Sequence, residues 1–144
     1  MKRNAPWVLA AVVGAIVVAS LITAVASRHP ARLEPGSPEA AVQDYLDAVL
    51  ERDAEAAARH LAPDSPCGVE DLDKAYVDDD VRVRLRDTDV TGGTARVAVA
   101  ITTGSGELIP SGWTEEHTFR LRRVDGAWLI TGSPWPLFEC GGLK

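Results

Sequence analysis

The chain has 144 residues and a formal charge of −6, with a pI near 5.0. Four of its 15 lysines and arginines precede residue 33, whereas all 21 acidic residues follow it, so residues 33–144 carry a formal −10. That balance excludes a nucleic-acid binder, which needs a basic surface to gather phosphates, and disfavours lipid headgroup binding by the acidic part itself.

Asn4 to Ser27 carry no formal charge, and Trp7 to Ala26 are almost wholly apolar. A run of about 20 apolar residues matches the length of a helix that crosses the bilayer core. Lys2 and Arg3 precede it, and Arg28, His29 and Arg32 follow. The expected organisation is a cytoplasmic stub (1–6), a transmembrane signal anchor (7–27), a linker (28–36) and an extracytoplasmic domain (37–144), in the cell membrane with the amino terminus inside. Ala24-Val25-Ala26 also fits a signal-peptidase site, which leaves cleavage after Ala26 open. Pro30, Pro35 and Gly36 mark the linker.

Ser37 is a good N-cap, Pro38 suits a first helical position, and Glu39 suits the positive end of the dipole. Val42, Tyr45, Leu46, Val49 and Leu50 then form one apolar stripe at helical spacing, with Asp44, Asp47 and Glu51 facing away. Asp53 reads as a second N-cap, opening a short helix that ends at Pro63. Val69 to Tyr76 predict another helical turn or two.

From Val81 the period becomes two. Val81, Val83 and Leu85 alternate with Arg82, Arg84 and Arg86, and after Gly92-Gly93 the alternation resumes through Ala95, Val97, Val99 and Ile101. A strict hairpin would set Leu85 opposite Ala100, with Val99 and Ile101 on the wrong face. The register therefore predicts a bulge near Asp87 to Asp89. Thr103 to Gly112 reads as a loop. Trp113 to Val124 follows as a strand with His117, Phe119 and Leu121 on one face. Asp125-Gly126 signals a hairpin that sets Leu121 against Ile130 and Arg123 against Trp128.

Cys67 and Cys140 stand alone, without C-x-x-C spacing or a ligand-like histidine nearby, so an oxidising compartment would join them in a disulfide. Closing a loop of about 74 residues contributes roughly 4 kcal/mol in the chain-entropy account. No P-loop, G-x-G-x-x-G, H-E-x-x-H or G-x-S-x-G motif occurs, and no metal site or cofactor is expected. Asp78-Asp79-Asp80 lacks the spacing of a calcium loop and reads as a solvated acidic turn.

Helices followed by about four antiparallel strands predict an α+β domain with a curved sheet around the first helix. Ala41-Val-Gln-Asp-Tyr-Leu-Asp-Ala-Val-Leu-Glu-Arg-Asp53, with Ala54 to Asp64 after it, resembles the opening of NTF2-like (cystatin-like, SnoaL-like) domains. Asp125 to Cys140 resembles the last strands of membrane-anchored actinobacterial members of that superfamily. The resemblance implies a cone of helices packed on the sheet. Since ketosteroid isomerase is a member, it also implies pocket candidates: Tyr45 as an oxyanion donor and Glu70 or Asp71 as the general base. His117 stands where that enzyme's second, protonated carboxylic donor falls, a departure that leaves His117 as a base in its stead.

The plainer readings of these residues make Tyr45 a core side chain with its hydroxyl at the rim and His117 a polar rim residue. They make His60 solvent-facing, Trp128 core, and Trp135 packing near the disulfide. Two functions follow. The favoured one is a non-catalytic module binding an envelope protein or a small apolar ligand, with a homodimer through the sheet face a further expectation. The alternative is an isomerase, cyclase or dehydratase acting on a small apolar ligand. A cavity of roughly 300 Å³ or more shared by Tyr45 and His117 would favour the enzyme.

Overall fold

A computed structural model describes residues 33–104 and 112–140. The expected transmembrane segment, and most of the loop after Thr103, lie outside these residues. Among the described residues no helix is long and apolar enough to cross a membrane.

Three helices precede four strands: α1 (Pro38–Leu50), α2 (Ala54–Ala58), α3 (Val69–Asp73), β1 (Val81–Thr91), β2 (Thr94–Thr103), β3 (Trp113–Val124) and β4 (Ala127–Thr131). Ser37 caps α1 as its spacing predicts, its hydroxyl accepting from Ala40 N at 3.1 Å. Val42, Tyr45, Leu46 and Val49 of the apolar stripe are buried with Ala48, but Leu50 is 38 % exposed. Leu50 occupies the last turn, where the chain leaves the sheet. Arg52 takes a left-handed φ of 61° there, and its N–H donates to Val49 O while Asp53 N–H donates to Ala48 O. This is a Schellman ending built on a residue other than the usual glycine. Asp53 at once caps α2, accepting from Ala56 N at 2.9 Å.

The sheet is antiparallel in the order β1-β2-β3-β4. Gly92-Gly93 joins β1 to β2, and the register shifts between Leu85 and Asp87. The extra residue is therefore Arg86, one position before the predicted stretch. The shift returns Leu85 to a position opposite Val99 and keeps Val97, Val99 and Ile101 on the helix-facing side. Leu121 pairs with Ile130 and Arg123 with Trp128 across Asp125-Gly126, as the turn predicts.

α1 lies against β1, β2 and β4, and the core between them comprises Val42, Tyr45, Leu46, Val97, Phe119, Leu121, Trp128 and Ile130. Burying side chains of this size contributes roughly 1.5–3 kcal/mol each. The free edge of β4 is covered by the segment after α2. Ile130 N–H donates to His60 O at 2.8 Å and Ala62 N–H to Ile130 O at 2.7 Å. His60 is consequently half-buried rather than solvent-facing, and burial lowers the pKa of its imidazole. At the opposite edge β1 presents Arg82, Arg84, Asp87 and Asp89 to solvent, charges that discourage a further strand from pairing there.

Candidate functional site

The inner site is built around Tyr45. Helical spacing turns it toward the sheet, where its ring meets Phe119 edge-on with centroids 5.9 Å apart. The residue is fully buried, so its hydroxyl does not reach the rim as the sequence suggested. The reason is the carboxy-terminal segment, which folds over it: Tyr45 Oη donates to the Trp135 carbonyl at 3.1 Å. Burial pushes the phenol pKa upward and keeps it protonated. An oxyanion donor must aim its proton at a substrate, and this proton is spent on the protein's own backbone.

His117 faces the same interior from β3, opposite Val99. Its ring centroid lies 6.3 Å from that of Trp135 and 6.3 Å from that of Phe138. Nε2 is 3.5 Å from Glu115 Oε2 but is buried with no hydrogen-bond partner. Its side chain is 20 % exposed, and Phe138 beside it is 74 % exposed, so the imidazole lies close to the surface. The candidate carboxylates are elsewhere in role. Glu70 is exposed on α3. Asp71 closes the start of that helix, its Oδ2 accepting from Gly68 N at 2.9 Å.

Tyr45 and His117 thus both meet Trp135, one through its carbonyl and the other through its ring. Pro134 and Leu137 are buried and Trp135 is half-buried, with Leu137 N–H donating to Pro134 O at 2.7 Å. Cys67 and Cys140 are joined, their Cα atoms 4.9 Å apart, which ties the end of this segment to the loop before α3. Ser65 adds a polar tie from the same loop, donating to Gly132 O at 3.0 Å.

Two cavities stand out among the described residues, and neither is lined by Tyr45, His117, Glu70 or Asp71. One, of about 190 Å³, lies among the helices beside Val49, Leu72 and Val77. The larger, about 530 Å³, is a trough on the outer face of the sheet, lined by Asp64, Asp89, Arg96, Arg120 and Arg122 among others. Arg122 is gripped by Asp64 through two hydrogen bonds of 2.8 and 3.1 Å, which hold the Asp64 carboxyl below its ordinary pKa. Sequence reasoning missed this trough. Its signal was the run of arginines on the polar side of β3, unreadable until β2 is placed beside it. The outer face also offers charged and hydroxyl side chains along β2 and β3.

No protein-family model matches the chain, and no curated protein does. Among solved structures the fold is similar to a SEC-C motif-containing protein from Rhodopseudomonas palustris, at TM-score 0.54 and 14 % identity over 67 % of this chain and 76 % of that one. An NTF2-like protein of unknown function from Shewanella oneidensis scores 0.48 at 14 % identity, over 64 % and 89 % of the two chains. A protein of unknown function from Mycobacterium tuberculosis scores 0.49 at 21 % identity, over 65 % of each. The first likeness is one of fold alone, and the other two fall below the level at which a correspondence carries weight. What stands is the class: an α+β domain with its helices on one face of a four-stranded antiparallel sheet.

Proposed function

We infer that the chain is a membrane-anchored, extracytoplasmic NTF2-like domain that binds a partner in the cell envelope rather than catalysing a reaction. The family assignment is supported by the helix and sheet order together with the sequence resemblance. Anchoring and export are supported by the uncharged segment from Asn4 to Ser27 and by a cysteine pair suited to an oxidising compartment. The observation that carries the non-catalytic reading is the bond from Tyr45 Oη to the Trp135 carbonyl. It uses up the one phenol that the isomerase-like chemistry requires, at the place where a substrate carbonyl would sit.

The enzymatic alternative draws on a different observation, the buried and unpartnered Nε2 of His117. A base at that atom would still lack a phenol to polarise its substrate unless residues 134–140 moved aside. Carbonate extraction and protease treatment of spheroplasts test the favoured reading. The expected result is a chain retained in the membrane pellet, with its amino terminus intact and its carboxy-terminal domain open to external protease. A domain protected from protease, or a mature chain beginning at Ser27, would contradict it.

A further inference from the structure

We propose that the outer-face trough is a binding site for a small soluble phosphoryl group, free phosphate or a phosphomonoester, with Arg96 and Arg120 as its ligand-facing residues. The proposal gives a ligand class to the binding reading above but rests on the sheet register, so it fails separately from the closure of the cone.

Strand pairing sets one continuous row across the sheet: Asp89 on β1, Arg96 on β2, Arg120 on β3 and Thr131 on β4. The neighbouring row sets Thr94 against Arg122. Like charges directly opposite on adjacent strands destabilise a sheet, yet Arg96 and Arg120 stand opposite one another. Among the described residues neither has an ion-pair partner or a side-chain hydrogen bond, whereas Arg122 has both with Asp64. Asp89 faces Arg96 across the strands, but its carboxylate accepts instead from the Thr91 hydroxyl at 3.2 Å.

The hydroxyls of Thr94 and Thr131 donate to the backbone oxygens of Thr91 and Arg120. The donors left facing the trough are therefore the two guanidinium groups. Asp64 neutralises Arg122, which leaves two cations against Asp89 in a space of about 530 Å³.

Two guanidinium forks on adjacent strands ask for an anion with oxygens pointing in more than two directions. A tetrahedral phosphoryl group meets both forks at once, while a planar carboxylate fills one. The formal −10 of residues 33–144 opposes the approach of a polyanion or an anionic bilayer. A small ligand held within a Debye length of the two arginines, about 10 Å, escapes most of that repulsion.

Calorimetric titration of the full chain with inorganic phosphate at an ionic strength of about 0.1 M tests the site. Saturable binding at one site is expected, weakened roughly tenfold by Arg96→Ala and again by Arg120→Ala, the loss that accompanies removal of a charge-assisted hydrogen bond. Arg84→Ala, on the same face but outside the trough, should leave the affinity unchanged. Asp89→Asn should tighten it several-fold by removing the opposing carboxylate, an increase that a misfolded variant would not produce. Binding that survives loss of both arginines, or no saturable binding, would overturn the site. Arginine-dependent sedimentation with phosphatidylglycerol vesicles in place of phosphate binding would transfer the phosphoryl group to a lipid and overturn the soluble assignment.

Discussion

The two faces of one sheet have been finished to different degrees. On the helix side Phe119, Leu121 and Ile130 alternate inward and pack with α1, and Leu137 of the carboxy-terminal segment joins the same core. On the other side the outward positions of β2 and β3 hold Arg96, Arg120 and Arg122 around an open trough. A strand sends alternate residues to opposite faces, so one sequence pattern produces both a closed interior and a surface with unspent charge.

Substitutions that separate the faces should differ most in stability. Phe119→Ala should cost about 3–5 kcal/mol by leaving a cavity against Tyr45, while Thr118→Ala, its outward neighbour, should stay within about 0.5 kcal/mol. Denaturant titration of both would break the contrast if the two losses were alike. Next in size is the joint replacement Cys67→Ser and Cys140→Ser. Losing the cross-link should cost about 4 kcal/mol or somewhat less, and it should also raise the uptake of an apolar fluorescent probe as residues 134–140 loosen over Tyr45.

Tyr45→Phe should cost about 1 kcal/mol, since the Trp135 carbonyl loses its donor. It should also change the alkaline limb of the stability profile. The folded-state phenol pKa is raised above its ordinary 10.0, so its contribution is complete below that value and is lost as pH climbs past it. In Tyr45→Phe that part of the alkaline decline should vanish. The lowered pKa of His60 acts in the opposite sense: stability is drained as pH falls below the ordinary 6.5 of an imidazole, and His60→Gln should flatten that acid limb. The smallest effect is expected at Arg52→Gly. Relief of the left-handed backbone should gain about 0.5–1 kcal/mol, little offset by losing the exposed pair with Asp79.

How far the sequence foretold these features follows from how local their causes are. Ser37 and Asp53 act within one turn of their own helices, and Asp125-Gly126 fixes the pairing of Leu121 with Ile130, so all three were readable. The bulge was readable as a necessity of register, and only its seat at Arg86 was off. Tyr45 was readable as a core residue from its stripe. Its partner was not, because the Trp135 carbonyl lies 90 residues away and no local pattern announces which loop will cover a cone. The arginine row was hidden for a related reason. Hairpin turns set the registers of β1 with β2 and of β3 with β4, but the nine residues of sequence between β2 and β3 are too many to fix a register. Only the folded sheet sets Arg96 opposite Arg120.

The most direct check on the closed interior is the Tyr45 hydroxyl proton, followed by NMR in water on the oxidised full chain. A proton shared with the Trp135 carbonyl should give a resolved, slowly exchanging signal with close contacts to Trp135. A hydroxyl proton lost to rapid exchange, together with a Tyr45 ring that shifts when a small apolar ligand is added, would mean that the cone is open and that binding, or chemistry, belongs inside it.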